Sequence, residues 1–468
     1  MSTIKRIAMA TLAAAGFAGG PLGQAAHAAG QAQNVIFFLG DGMGPTTVTA
    51  SRIYKVGESG QLTMEKLART ARIKTFSNDA QTTDSAPSMA AYMTGVKMNN
   101  EVLSMSSGTR AVAPGTDANG NRTVNNCAPG NGKAVATLLE LAKARGKAVG
   151  AITTTELTHA TPAATYSHIC HRDAQYDIAA QAAPGGAGYN AALGDGVDVL
   201  MGGGRNHWTP FDPAANKRGR ADGRNLLDEM KAKGYTVAAT KDQLAQAGGG
   251  KLIGLFSSTS HLEYELDRVA GKGEGATQPS LAEMTSKAID LLSKNSNGYF
   301  LMVEGGRIDH ALHGTNAKRA LEDTAAFDDA IRVALSKVDL SNTLIVVTAD
   351  HDHTMTINGY SKRGNPILDI SRSYRDGQPS KDADGNTYTT LVFGNGANRP
   401  NVRAPVDSAT ALDSAYLQEV GVRMGSAGSE THGGGDVMLF ADGAGAKAFK
   451  GTIDNTKVFG LVRSAFGF

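Results

Sequence analysis

Carboxylate, imidazole and hydroxyl side chains gather at five points along the chain, and several of these points follow strongly apolar runs. The first is Asp41, in Leu39-Gly40-Asp41-Gly42-Met43-Gly44. The second is Glu304, Asp309 and His313, in Glu304-Gly-Gly-Arg-Ile-Asp309-His310-Ala-Leu-His313. The third is Asp350 and His351, in Thr348-Ala349-Asp350-His351-Asp352-His353, and the fourth is His432, in Glu430-Thr431-His432-Gly433. Ser85 makes the fifth, in Thr83-Asp84-Ser85-Ala86-Pro87-Ser88. Asp309 and His313 are spaced i, i+4, so one helical turn presents both on one face. Oxygen and imidazole donors without thiolate suit Zn2+, and carboxylate-rich subsets suit Mg2+. Any one of these residues alone could be a solvated loop charge or a helix cap. Together, after strand ends, they read as a multi-metal hydrolytic site. Ser85 opens a helical pattern in which Pro87 is tolerated in the first turn. Taken alone, Asp84 or Ser85 caps that helix. A helix start also favours an anionic group. A cation on the Ser85 hydroxyl would lower its pKa and make a nucleophile without a histidine base.

Alternating elements must position these groups. Apolar runs at 34–39, 148–153, 197–201, 252–256, 299–303, 344–348 and 437–440 read as strands, and 133–145, 226–233 and 280–294 as helices. The alternation predicts an α/β fold, a three-layer α/β/α sandwich around a mostly parallel sheet. Ligands of such sheets collect beyond the C-terminal strand ends, where Asp41, Glu304, Asp350 and His351 fall. Stretches near 107–132 and 355–430 are polar, Gly-rich and weakly periodic, and read as insertions over the sheet of a single domain spanning 29–468.

Lys5 and Arg6 precede a small-apolar run at 7–18, and Ala26-His27-Ala28 fits a cleavage site. Residues 1–28 therefore read as a signal peptide, too short in its apolar part to span a bilayer. Export to the periplasm or beyond is expected, with no membrane anchor. Removing that segment takes away two positive charges and no acids, so the formal charge falls from +2 to 0. A near-neutral chain argues against a general nucleic-acid binder. Cys127 and Cys170 are the two cysteines. In an exported chain an even pair predicts one disulfide, the alternative being two reduced thiols.

The motifs around Asp41, Ser85, Glu304-x4-Asp309-x3-His313, Asp350-His351 and His432, in this order, make the chain resemble the alkaline phosphatase family. The resemblance runs from about residue 34 to the C-terminus. It implies that Ser85 is the nucleophile and becomes phosphorylated. One Zn2+ would be held by Asp309, His313 and His432, and a second by Asp41, Asp350 and His351. A third metal, usually Mg2+, would touch Asp41, Thr161 and Glu304, with His159 beside it. Arg172 falls where the family places its phosphate-binding arginine; otherwise it would form a surface ion pair with Asp173. His159 and His310 stand where enterobacterial members carry aspartate and lysine, a pairing similar to the animal-type branch. An imidazole for a carboxylate makes the third site less negative, so Zn2+ or Co2+ could compete with Mg2+ there. His310 and His353 are expected just behind the ligands, His353 positioning one of them. The implied substrates are small phosphate monoesters, hydrolysed with broad specificity, and the implied assembly is a homodimer. The rival readings are a phosphodiesterase or sulfatase of the same superfamily, and an exported metal- or phosphate-binding protein without turnover.

Overall fold

The computed structural model describes residues 31–121, 123–214, 218–425 and 428–468, so the expected signal segment, 1–28, lies outside the described residues. Eight strands carry the first part of the sheet: β1 (Asn34–Gly40), β2 (Arg69–Lys74), β3 (Ala148–Glu156), β4 (Val199–Gly203), β5 (Tyr235–Ala238), β6 (Lys251–Leu255), β7 (Tyr299–Gly305) and β8 (Thr343–Thr348). The strands Val437–Gly443 and Gly451–Asp454 complete it. The order is Gly451–Asp454, β2, Val437–Gly443, β8, β1, β7, β3, β4, β6, β5. Neighbours pair in parallel except at Val437–Gly443, which runs antiparallel to both β8 and β2. The central strands are continuous apolar runs because helices cover both faces. Every residue of β7 and β8 is buried. The helices Pro45–Val56, Leu281–Leu292 and Ala317–Lys337 pack together as one layer. Ser85–Thr94, Leu138–Lys143, Ala160–Tyr166 and Asn455–Phe466 supply another.

The register aligns the strand ends that carry the chemistry. Leu39 of β1 pairs with both Glu304 of β7 and Thr348 of β8, and Thr153 of β3 pairs with Glu304. Asp41 and Asp350 each lie two residues beyond such a pair, so they leave the sheet at one level.

Some local readings shift. The helix expected at 133–145 is Leu138–Lys143, because Thr137 and Glu140 form a capping box that starts it late. The residues just before it are extended, with the Val135 N–H donating to Ser104 O. The stretch at 355–430 carries a small sheet of Met355–Ile357, Leu391–Gly396 and Val420–Arg423. Cys127 and Cys170 form a disulfide, tying the 107–132 stretch to the segment that carries Arg172. Among the described residues no helix is long and apolar enough to cross a membrane.

Candidate active site

Ser85 is the first residue of the helix Ser85–Thr94, whose start is fixed by the Asp84 carboxylate accepting the Ala86 N–H at 2.6 Å. Two side chains pin this helix to the loop after β8: Ser88 donates to Asp350 O at 2.7 Å and Tyr92 to Ala349 O at 2.8 Å. The Ser85 hydroxyl therefore arrives 3.4 Å from Asp41 Oδ1 and 3.3 Å from His351 Nε2, and the residue is only 2 % exposed. The loop after β1 folds tightly over this point. The Gly42 N–H donates to Asp350 Oδ1 at 3.0 Å. Gly42 has φ +66, and a Cβ there would lie 2.5 Å from the His353 ring, so both conformation and space call for glycine.

Three imidazoles share one arrangement. His313 Nδ1 donates to Glu430 O at 2.5 Å, His351 Nδ1 to Asp352 O at 3.2 Å and His432 Nδ1 to Thr83 O at 2.9 Å. A carbonyl only accepts, so each proton sits on Nδ1 and each Nε2 presents a bare lone pair. The bare nitrogens of His313 and His432 face each other at 3.1 Å, with Asp309 Oδ1 at 3.4 and 3.5 Å from them. Facing lone pairs repel unless a cation or proton lies between them. His351 Nε2 similarly lies 3.3 Å from Asp41 Oδ1 and 3.5 Å from Asp350 Oδ2. Tetrahedral Zn2+ with bonds of about 2.0–2.1 Å sets ligand–ligand edges near ~3.3 Å, so both triangles fit that ion. Asp350 Oδ2 is buried with no hydrogen-bond partner, as a ligand oxygen awaiting a cation would be.

His353 has a different job. Its two ring nitrogens donate to Asp309 Oδ1 at 2.7 Å and Glu430 Oε2 at 2.5 Å. Burial opposes its charge, but these two carboxylates outweigh that and carry its pKa up to about 10. The ring thus tethers Asp309 Oδ1 to Glu430. Burial pushes the Asp309 carboxyl up, yet His313, His353 and His432 together hold it well below the usual carboxylate range.

The third group is built from oxygen. Glu304 and Asp41 are fully buried, and Thr161 donates to Asp41 Oδ2 at 3.5 Å. Thr153 and Thr155 donate to Glu304 Oε2, the latter at 3.2 Å, while Glu304 Oε1 has no partner. Burial, then the neighbouring carboxylates Asp350, Asp309 and Glu304, raise Asp41 well above its ordinary value. Burial also raises Glu304. Crowded, desolvated carboxylates with an orphaned oxygen fit a hard cation such as Mg2+. His159 comes within ligand distance of Asp41 and Glu304. Its Nε2 accepts from Arg172 Nη2 at 3.0 Å, while its Nδ1 is buried without a hydrogen-bond partner.

Arg172 does not pair with Asp173. Its Nη1 donates to Asp84 Oδ1 at 2.9 Å, beside Ser85. The Arg172 N–H and Glu101 O, and the Glu101 N–H and Asp84 Oδ2, stitch the two segments together. His310 Nδ1 accepts from Arg307 Nη1 at 2.9 Å, and its ring lies 4.3 Å from His261 and 5.4 Å from His159. His261, Thr153, Thr155 and the supporting part of Glu430 escaped the sequence reading.

Fold and gathered donors together define a metal-assisted hydrolase. The family model for alkaline phosphatase matches residues 32–468. The alkaline phosphatase of Gadus morhua is 38% identical over 452 residues, covering 90% of this chain and 89% of that protein. The tissue-nonspecific isozyme of Homo sapiens is 35% identical over 456 residues, covering 91% of this chain and 82% of its own. The crystal structure of Thermus thermophilus alkaline phosphatase superposes with a TM-score of 0.67 at 26% identity, over 93% of this chain and 92% of that one. The chain belongs to the alkaline phosphatase family of phosphoric monoester hydrolases.

Proposed function

We propose that the protein is an exported phosphatase of broad specificity that passes the phosphoryl group through Ser85. The observation that carries this reading is the Ser85 hydroxyl at the start of a helix, 3.4 and 3.3 Å from Asp41 and His351, beside imidazoles with bare Nε2 atoms. Asp309, His313 and His432 would hold one Zn2+, and Asp41, Asp350 and His351 a second. Asp41, Glu304 and Thr161 would hold Mg2+. When bound, these ions supply positive charge that lowers the pKa of the serine hydroxyl and neutralises the phosphoryl oxygens.

The chain's own residues do the rest. Ser85 sheds its proton and its Oγ attacks phosphorus in line with the ester oxygen. The Oγ–P bond forms as the P–O ester bond breaks, and the alcohol leaves with a solvent proton. Each terminal nitrogen of Arg172 keeps a second N–H after binding Asp84 and His159, so the guanidinium grips two phosphoryl oxygens. Water then displaces Ser85 from phosphorus, releasing inorganic phosphate and restoring the hydroxyl. Positioning and charge stabilisation supply most of the catalysis, because phosphoryl transfer has a loose transition state. The N-terminal 1–28 segment supports export. The protein's assembly would be the homodimer that the family implies.

The test compares p-nitrophenyl phosphate, the bis ester and the sulfate on purified protein. The monoester should dominate, chelation should abolish its turnover and Zn2+ should restore it. Preference for the diester or sulfate contradicts the reading, and metal binding without turnover of any ester favours a binding protein. Turnover should rise into alkaline pH, because protons compete with metal for the ligand imidazoles. A maximum near pH 5 would count against it.

A further inference from the structure

Arg172 and Arg307 are joined by an arc of imidazoles whose tautomers are fixed by their neighbours. His159 Nε2 accepts from Arg172, and His310 Nδ1 accepts from Arg307. His261 Nδ1 accepts the Glu156 backbone N–H at 3.0 Å, and the Leu262 N–H donates to Thr154 O, so His261 is fastened against the end of β3. Guanidinium and amide N–H groups can only donate, so the remaining proton of His261 and of His310 lies on Nε2. Neither Nε2–H has a hydrogen-bond acceptor among the described residues; the nearest carboxylate oxygen to His310 Nε2, Asp309 Oδ2, is 4.0 Å away. Arg307 sits over the Tyr264 ring, its Cζ 3.7 Å from the ring centroid. Among the described residues no carboxylate lies within ion-pair distance of it. A half-buried cation with no carboxylate partner lies beside two N–H donors on neighbouring rings, a setting that an anion would complete. The arc begins at Arg172 and ends on the helix Arg307–His313, which also carries Asp309 and His313. Its His310 Nε2 comes within 4.0 Å of Asp309 Oδ2, so the arc borders the candidate metal site.

We propose that His261, His310 and Arg307 form a second anion subsite, which selects phosphate monoesters whose alcohol carries an additional anionic group a few bonds from the ester oxygen. A carboxylate and a second phosphate share this chemistry. The proposal rests on the phosphomonoesterase reading for its meaning, but its binding test does not require turnover. His261 is the residue that separates it from simple phosphate holding, because His261 touches neither Arg172 nor the candidate metal ligands by hydrogen bond.

The experiment measures binding of 3-phosphonopropionate and of propylphosphonate, two non-hydrolysable probes of similar size, to the metal-replete protein by calorimetry and by competitive inhibition. The carboxylate-bearing probe should bind about tenfold more tightly than the uncharged-tail probe, the size of one charge-assisted hydrogen bond. His261→Phe keeps the ring and removes the donor. Arg307→Gln removes the cation, and Arg307→Lys retains it. The preference should shrink to about twofold or less in the first two and survive in the third. A second arm compares 2-phosphoglycolate and ethylene glycol bisphosphate with ethyl phosphate as substrates, to show whether carboxylate or phosphate is favoured. Equal binding of the two phosphonates by the unaltered protein overturns the subsite, as does a preference that survives His261→Phe and Arg307→Gln. Discrimination without turnover of any ester would instead sink the phosphatase reading and leave the subsite standing.

Discussion

Two sets of three histidines line the site, and they differ in what the far ring nitrogen touches. His313, His351 and His432 give Nδ1–H to backbone carbonyls and turn a bare Nε2 inward. His159, His261 and His310 each accept an N–H and keep a proton on the other nitrogen. The first set presents lone pairs that can ligate a cation, and the second presents N–H donors. Residue type is identical in both, so the hydrogen-bond partner behind the ring decides which chemistry each imidazole performs. His353 stands between the sets, donating from both nitrogens to carboxylates and acting as a fixed cation.

Substitutions can break this division. The largest effect belongs to Ser85, which lies against the ligand set. Ser85→Ala should lower monoester turnover by on the order of 10³ or more while leaving bound metal nearly intact. Unchanged turnover would remove Ser85 from its role. Next, His432→Gln should lose about one equivalent of Zn2+ and about a hundredfold or more in turnover. His261→Gln, from the donor set, should keep its full metal content. Equal metal loss in both variants, measured by elemental analysis, would erase the difference between the two sets. Glu430→Gln frees His353 and weakens its hold on Asp309. Zinc affinity should fall about 10–100-fold, with excess Zn2+ restoring turnover.

The mildest effect is expected from acid. Metal binds the ionised carboxylate, so a raised pKa lets protons compete at a higher pH and a lowered one postpones that competition. Asp41 and Glu304 are raised, chiefly by burial, whereas Asp309 and His432 are held well below their ordinary values. On slow acidification the cation of the oxygen-built group should leave first and the cation between His313 and His432 later. Release in the opposite order, followed by metal analysis after dialysis, would contradict the assignment.

The sequence carried the parts of the site that follow from chain direction. In a parallel sheet an apolar run ending in glycine or threonine delivers the next polar residue to one edge, which made Asp41, Glu304 and Asp350 readable. The i, i+4 spacing placed Asp309 and His313 on one helical face. The late start of Leu138–Lys143 was written in Thr137-x-x-Glu140, a capping signal overlooked beside the stronger periodicity. Thr153 and Thr155 alternate along β3 and so share one face of the sheet, a signal that could have paired them with Glu304. His261 left no trace. It ends the polar stretch Ser257-Ser-Thr-Ser260, and only hydrogen bonds to distant backbone bring it to the wall. The carbonyls behind His313, His351 and His432 are equally silent, because every residue has one. Nor does the apolar run of Val437–Gly443 say that it is antiparallel, since burial on both faces looks alike in either direction.

The most direct measurement is acid quenching of the metal-replete protein during monoester turnover, followed by peptide mass spectrometry. One phosphoryl group should be found on the peptide containing Ser85, and it should be absent from the Ser85→Ala variant. Full turnover with no labelled serine, or with the label on another residue, would contradict the claim that this hydroxyl accepts the phosphoryl group.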